Sequence, residues 1–405
     1  MIFDMRIRHI ILFILSGMTA CVYAQSDVFN YHKSSIYSVL LKHDNLEYSD
    51  EIVEAFRAIP IPDKFNNHNL SKCEFKAAVL EDKGDVEESM RRFIDELLKQ
   101  NAIGRRLVAK WFNQSKDGSF NVELILERGY YNVDATDIAL ANKSFKTQEG
   151  ILYDAGEELI ANTYVLVNDI QYSDKRKNRE KRMSGAIALG AIPLVGAVAM
   201  PIAGVLANDY AGFNVTITSY LYRLEWTPEI ANAFYTIYWT DVPNETKRQT
   251  FKKEKELFKL SYVGSQTVYE SNVSIKGVNN RETQIRKVCT RAIDESIAKL
   301  QKKHNEFRVR TPLLSTMPVT ASIGMREGVT SDSRYEVLEV FLDKKGKTQY
   351  KRIATIKPIK GKIWDNRYLA EFEDDNKESK LMATEFELVS GSISHPGVLI
   401  REINN

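Results

Sequence analysis

The sequence predicts an α+β protein: a three-layer-like α/β core with a Gly/Ala-rich apolar insertion, followed by a small C-terminal β-barrel. Helical periodicity alternates with β-branched and aromatic strands between residues 84 and 307, which is typical of an α/β or α+β core. An uncharged segment rich in Ala and Gly, 183–208, interrupts this alternation. Beyond residue 313 the chain changes to short strands separated by turns, which indicates a separate barrel.

The first element in the chain is a secretory signal peptide over residues 1–24. Basic residues precede the apolar run 10–15, and small residues lead to Ala24. The run is too short to cross a hydrocarbon core of roughly 30 Å, so we expect its removal. Ordinary cleavage after Ala24 competes with an imperfect lipoprotein box, 18–21, that would leave Cys21 acylated. The methionine at the start of that box favours ordinary cleavage, and either outcome predicts an exported protein of the periplasm or outer membrane.

The rest of the chain suggests two or three domains, at about 150 residues per domain. We predict a leader region over 25–83, the core with its insertion over 84–307, and the β-barrel domain over 313–405. A formal net charge of +2 gives no global attraction to nucleic acid, so an electrostatic partner must meet a local patch.

Cys73 and Cys289 remain after cleavage, in what should be an oxidising compartment. A disulfide between them is one alternative. The other is a buried free thiol, because Cys289 lies on the apolar face of a predicted helix and free cysteine is among the most buried residue types. We favour the buried thiol.

Periodicity defines the elements of the core and the barrel. In the core, apolar residues alternate from Phe213 to Ile217, then the phase slips before Tyr220, which predicts a bulge or a sheet corner. Helices are predicted at 86–98, 103–112, 133–141, 154–162 and 281–304, and strands at 120–126, 163–172, 213–226 and 231–240. In the barrel, strands are predicted at 319–323, 335–342, 350–356, 362–364, 386–389 and 397–403, with a hairpin turn at 344–347.

The uncharged segment 183–208 is long enough to cross a hydrocarbon core as a helix. Pro193 and Pro201 interrupt such a helix, and export would leave the basic block 175–182 outside the cytoplasm, against the positive-inside rule. Three interpretations therefore remain: a hairpin buried in the protein or between subunits, a hairpin that enters an outer membrane on assembly, and, least favoured, a simple spanning helix.

Two sets of candidate contact residues follow. The membrane or subunit contacts are Ile187, Leu189, Ile192, Leu194, Val195, Val198, Ile202, Val205 and Leu206. The contacts to an anionic surface are Lys175, Arg176, Lys177, Arg179, Lys181 and Arg182. The basic block contains no aromatic residue to stack on bases, so we expect outer-membrane lipid rather than nucleic acid as its partner. Further copies of the chain or other envelope proteins are the expected protein partners.

Sequence signatures of an enzyme are absent. The chain has no H-E-x-x-H, G-x-S-x-G, P-loop or paired C-x-x-C motif, and no two histidines of the mature chain are four residues apart. The acids Asp294 and Glu295 are predicted to lie on the solvent face of a helix. We therefore predict a non-enzymatic protein without a cofactor or a metal.

The order of elements resembles the curli secretion channel family. In that family a short strand ends in Glu-Arg, as Glu127–Arg128 does in the predicted strand, and a later strand, here 163–172, leads into a membrane hairpin. A Leu-Arg-Leu type strand, here Tyr222-Arg223-Leu224, and a final helix, here 281–304, follow at comparable places. The resemblance implies a ring of subunits that opens a diffusion channel through the outer membrane for unfolded substrates.

The C-terminal region is similar to the C-terminal barrel of a periplasmic flagellar ring protein. The string 323–329, I-G-M-R-E-G-V, precedes a strand that begins with Tyr335-Glu336-Val337, and Gly324 and Gly328 would serve tight turns. The sequence as a whole predicts an exported membrane-associated assembly or secretion-channel component. The alternative is a soluble periplasmic or surface binding protein with the apolar segment buried.

Overall fold

A computed structural model describes residues 34–78, 86–130, 157–172, 213–271, 281–342, 348–372, 381–393 and 395–403. These residues form a mixed β-sheet between two helical layers, followed by a six-stranded barrel. The predicted α+β class is confirmed. The predicted signal peptide, the Gly/Ala insertion 183–208 and the predicted helix 133–141 lie outside the described residues.

The mixed sheet contains six strands. They are β1 (Ser34–Lys42), β2 (Phe65–Asn67), β3 (Glu74–Lys76), β4 (Thr163–Tyr172), β5 (Asn214–Leu224) and β6 (Leu260–Ser271). Their order is β2-β1-β4-β5-β6, with β3 also paired to β1. β1 runs parallel to β2, β3 and β4, whereas β4, β5 and β6 are successively antiparallel. β1 and β4 are buried along nearly their whole length, so the region 25–83, predicted as a leader, contributes a central strand.

Seven α-helices whose bounds are both described surround the sheet or its edges, and 157–161 is the described part of a further helix. They are α1 (Ser49–Arg57), α2 (Val86–Gln100), α3 (Ile103–Trp111), α4 (Glu123–Tyr130), α5 (Pro228–Ala233), α6 (Glu245–Lys253) and α7 (Arg281–Lys303). α1 and α7 cover one face, and α2, α3, α4 and α6 cover the other. The predicted helices at 86–98, 103–112 and 281–304 are confirmed, and 157–161 confirms the described part of the helix at 154–162.

The strand predicted at 231–240 is wrong. The chain there forms α5 and then a π-helical turn, Phe234–Tyr238. Thr227 caps α5 by accepting a hydrogen bond from the Ile230 amide, and Pro228 begins the helix. Rings at positions 234, 235, 238 and 239 fall on one helical face, so the same residues that resemble a strand pattern satisfy a helical one.

The strand predicted at 120–126 is also wrong, because α4 begins at Glu123 and carries Glu127 and Arg128. The Glu123 amide donates to the Asn121 side chain at the start of this helix. By contrast, β4 confirms the strand at 163–172, and β5 confirms the strand at 213–226. The bulge predicted from the phase slip before Tyr220 is wrong, because β5 keeps its register there and Ile217 and Tyr220 pack on opposite faces of the sheet. The one register shift of the β5–β6 pair comes later, between Leu221 and Tyr222, where β6 carries the extra residue.

The barrel consists of β7 (Thr311–Thr316), β8 (Val319–Ala321), β9 (Arg334–Leu342), β10 (Thr348–Pro358), β11 (Thr384–Gly391) and β12 (Leu399–Ile403). They close in the order β10-β11-β8-β7-β12-β9. The expected strand at 362–364 is irregular instead, since Lys362 closes a turn onto the Ile359 carbonyl. The other five predicted barrel strands are confirmed, with β7 added. Gly328 has a φ of 76° and serves a tight turn as predicted. Gly324 is extended instead, and a Cβ there would lie 2.2 Å from the Trp364 carbonyl oxygen, so its glycine allows a close backbone approach.

Candidate functional site

The most distinctive feature of the core is the place where residues 173–212, here called the excursion, join the sheet. β4 ends at Tyr172 and β5 begins at Asn214, and Tyr172 pairs with Val215 across the two antiparallel strands. The excursion therefore leaves and re-enters through two neighbouring strands at one end of the sheet. All the predicted membrane, subunit and anionic-surface contacts belong to the excursion and lie outside the described residues.

Several strands finish at this same end, here called the excursion end. β1, β3 and β4 run parallel, so their carboxyl ends coincide. The last residue of β6, Ser271, pairs with Asn214 at the start of β5, which brings β6 to the same edge. The described chain thus presents the ends of four strands next to both roots of the excursion.

Three rings, here called the aromatic clasp, hold the two roots. The ring centroids of Tyr48 and Tyr172 are 4.6 Å apart, those of Tyr48 and Phe213 are 5.4 Å apart, and those of Tyr172 and Phe213 are 5.1 Å apart. The Arg281 guanidinium lies 4.2 Å from the Tyr48 ring centroid, a cation–π distance. The clasp joins the N-cap of α1, the start of α7 and the two residues that flank the excursion in one contact.

A polar row runs across the sheet beneath the clasp. The Asn168 amide donates to the Ser38 hydroxyl at 3.0 Å, and its oxygen accepts from the Ser219 hydroxyl at 2.8 Å. These three residues lie on β1, β4 and β5, and Asn168 is fully buried. A buried polar group is tolerated when its hydrogen bonds are made, so this row fixes the register of the three central strands.

Asp169 follows Asn168 on β4, one residue nearer the excursion end. His43 Nε2 lies 2.6 Å from Asp169 Oδ1. Asp169 also accepts hydrogen bonds from the Gln171 side chain. Both members of the pair are mostly buried. Within the described residues no group of three His, Cys, Asp or Glu side chains is arranged to hold a metal ion.

The two cysteines are free thiols in the structure, so the disulfide alternative is not formed. Cys289 is fully buried among the aliphatic side chains of α7, and burial raises its pKa to about 12. Cys73 is half-buried beside the same cluster. The arrangement agrees with the favoured interpretation of Cys289 as an apolar core residue. Cys21 lies outside the described residues.

The acid predicted on the solvent face of the last helix is in fact buried. Asp294 is 7% exposed, and its Oδ2 lies 3.0 Å from Nε of Arg326, in the barrel. Burial raises the pKa of Asp294 to about 6, although the guanidinium opposes that rise. A cavity of about 310 Å³ lies beside the pair, between α7 and the barrel. The pair thus joins the core to the barrel.

A signal in the sequence could have located this second buried strip. Lys287, Thr290, Asp294 and Ala298 follow each other at helical spacing and are all buried, beside the aliphatic strip of the same helix. The partner of Asp294 is distant in sequence and only the fold brings it near. Because three of these four residues are polar or charged, the sequence pattern of the strip resembles that of a solvent-exposed helix face.

Comparison with known protein families and with curated proteins found no match to this chain. In the part of the chain that the structure describes, no helix combines the length and apolar character needed to cross a membrane.

Proposed function

We propose that this chain is an exported, non-enzymatic protein of a Gram-negative-type envelope that acts as a membrane-associated assembly or secretion-channel component. One observation carries the proposal. A segment that is basic over 175–182 and uncharged over 183–208 is inserted between two paired central strands, with both of its roots held by the aromatic clasp. A folded sheet that holds a basic and apolar segment at one end can present that segment to a membrane surface.

The charges of the excursion support an anionic partner. Residues 175–182 contain six Lys or Arg residues and one acid, Glu180. A basic residue near an anionic bilayer surface contributes about 1 kcal/mol of attraction, so a block of this kind contributes several kcal/mol at low salt. The apolar residues that follow would then meet the acyl chains or a neighbouring subunit.

The resemblance to the curli secretion channel family motivates the channel part of the proposal. The excursion follows β4 and precedes β5, and the last core helix follows them, in the order that the resemblance uses. The Glu127–Arg128 pair departs from it, since the pair lies on α4 rather than at the end of a strand. Membrane association therefore rests on the excursion itself, and ring formation rests on the family likeness alone.

Fractionation of the tagged full-length chain tests membrane association. We expect most of the protein in the outer-membrane fraction, with release as oligomers in detergent. A variant with the six basic residues of 175–182 changed to Gln should move toward the soluble fraction, because it loses the attraction to anionic lipid. Recovery of the unmodified chain in the soluble fraction without detergent would reject membrane association and favour the soluble binding protein.

Labelling of single introduced cysteines tests insertion separately. We expect Ala188→Cys, Val198→Cys and Val205→Cys to be protected from a water-soluble maleimide in membranes. Met317→Cys is the matched control, because Met317 is 92% exposed on the barrel and should react fully. Full reaction of all three excursion cysteines from the aqueous side would rule out insertion.

A further inference from the structure

The outer strand of the mixed sheet, β6, has features of a pairing surface. It is 12 residues long, and among the described residues it pairs with β5 alone. Glu270 is its sole charged residue, and it contains no proline. Folded proteins usually protect long sheet edges with lysine, proline or short strands. The opposite edge follows that rule, since β2 and β3 have 3 residues each.

Helices contact both faces of β6, and on the α2 side Thr267 and Tyr269 stay exposed. On the α2 side, the Ser265 hydroxyl donates to Glu87 at 2.6 Å and the Arg91 guanidinium lies 5.7 Å from the Tyr262 ring centroid. On the α7 side, a Cβ on Gly264 would lie 2.3 Å from His304 Nε2. Within the described ranges, no other strand pairs with the outer backbone edge of β6, which is the surface that another strand would use.

The bulge in the β5–β6 pair determines which residues of β6 share a face. Leu221 pairs with Gly264 and Tyr222 pairs with Tyr262, so Val263 is the extra residue. The bulge shifts the alternation by one position, and Tyr262 then points to the same face as Tyr269. Without it, side chains seven residues apart would point to opposite faces.

We propose that β6 pairs antiparallel with β6 of a second copy of this chain, about a two-fold axis at Gln266. The strand is self-complementary in this register, because the residues that face each other lie on the same side of the sheet and three of the four facing pairs match in kind. The facing pairs are Ser265 with Thr267, the bulged Val263–Gly264 with Val268, Tyr262 with Tyr269, and Ser261 with Glu270.

Charge also favours a second copy as the occupant. The single acid of each strand faces a serine of the other, so no like charges oppose each other. A bulge usually protects a sheet edge from pairing. In this register the bulge of each strand lies opposite Val268 of the other strand, so the remaining residue pairs stay in register. A two-fold axis perpendicular to the sheet makes the contact closed, and the doubled sheet ends at the short strands β2 and β3.

Gln266, the residue on the axis, has an unsatisfied acceptor. Its Nε2 donates to the Thr267 carbonyl at 2.7 Å, while its Oε1 is buried and accepts no hydrogen bond from the described chain. A buried acceptor without a donor is unfavourable. In the paired strands the two Gln266 side chains face each other, and a rotation that brings the Oε1 of one to the edge lets it accept from the amide of the other.

Cysteine cross-linking of the full chain tests the register. Directly opposed residues in an antiparallel pair have Cβ atoms about 4.5–5.5 Å apart, close to the separation in a disulfide. Under mild oxidation, Gln266→Cys should therefore form a reducible dimer in most of the protein. Glu270→Cys is the matched control on the same strand, because it faces Ser261 and should not cross-link to itself. A mixture of Ser261→Cys and Glu270→Cys chains should cross-link, with the unmodified chain as the background for its own cysteines.

The mass in solution completes the test. Light scattering of the protein released in detergent should give a mass that is an even multiple of one chain, and Gln266→Lys should raise the dissociation constant of the β6 pair roughly threefold to tenfold by placing like charges at the axis. Circular dichroism of each variant checks that it folds. A monomeric unmodified chain, no dimer from Gln266→Cys, or equal cross-linking of Glu270→Cys alone would overturn the proposal. The pairing is independent of export and membrane contact, so its failure leaves the proposed function standing.

Discussion

The two faces of the mixed sheet are filled in different ways. One face is covered mainly by α7, a single helix of 23 residues whose buried strip is aliphatic. The other face is filled by rings from several short elements, with Phe234 in contact with Phe112 at 4.4 Å and with Phe120 at 5.3 Å between centroids. A face built on one regular helix spreads its stability over many similar side chains, whereas a face of interlocking rings concentrates it in a few large ones.

Removal of the central ring should therefore have the largest effect. Phe234 is fully buried, and we expect Phe234→Ala to lower the free energy of unfolding by about 3–5 kcal/mol, through lost burial and the cavity left behind. Denaturant unfolding of the variant and the unmodified chain measures this loss of stability. Ile237→Ala is the control in the same π-helical turn, because Ile237 is 48% exposed and its loss should cost under about 0.5 kcal/mol. Equal effects of the two changes would contradict the importance of the ring.

Buried titratable groups on the two sides of the core should give opposite pH dependences, because burial lowers the pKa of His68, which stacks on Trp111 of the ring face, and raises that of Asp294 on α7. Burial raises the pKa of Asp294 to about 6. Of the charged groups nearby, Arg326 lowers this pKa, and Glu327 and Asp63 raise it further. A raised carboxyl pKa means that the folded state binds its proton more tightly than the unfolded chain does. This contribution is complete below the ordinary pKa of an aspartate and is lost as pH rises through about 6.

We therefore expect the unmodified chain to lose on the order of 2 kcal/mol relative to Asp294→Asn between pH 4 and 7. Unfolding curves at each pH for both chains measure the difference. Parallel profiles for the two chains would show that Asp294 titrates normally.

The smallest expected effect tests whether the α7 face spreads its stability. Ile293→Val removes one buried methylene from α7 and should lower the free energy of unfolding by about 0.5–1.5 kcal/mol. Lys299→Ala, which removes a largely exposed partner of Glu295, should change it by under about 0.5 kcal/mol. A loss from Ile293→Val as large as that from Phe234→Ala would remove the distinction between the faces.

Regular elements were predictable from the sequence because one period held along their length. The strand at 163–172 is a continuous buried run, and the helix at 281–304 repeats its apolar strip over its whole length. The strand β1 was missed because serines at 34, 35 and 38 break up its apolar run. β6 was missed because its side chains are mixed in polarity and its bulge breaks the period.

The candidate site was predictable only in part. The sequence located the basic and apolar segments, yet the pairing of Tyr172 with Val215 depends on sheet topology. The same holds for the aromatic clasp, where Tyr48 joins residues far along the chain. Contacts of this kind come from tertiary packing, which local periodicity does not encode.

The position of the excursion has a mechanical consequence. A pull on residues 173–212 loads β4 and β5 from a shared end, so their mutual hydrogen bonds would open one after another, beginning at the pair Tyr172–Val215. The same pull loads the parallel β1–β4 pair in shear, where seven registered positions, Ser35 to Leu41, resist together. The aromatic clasp would therefore yield first, and the sheet behind it would hold as an anchor.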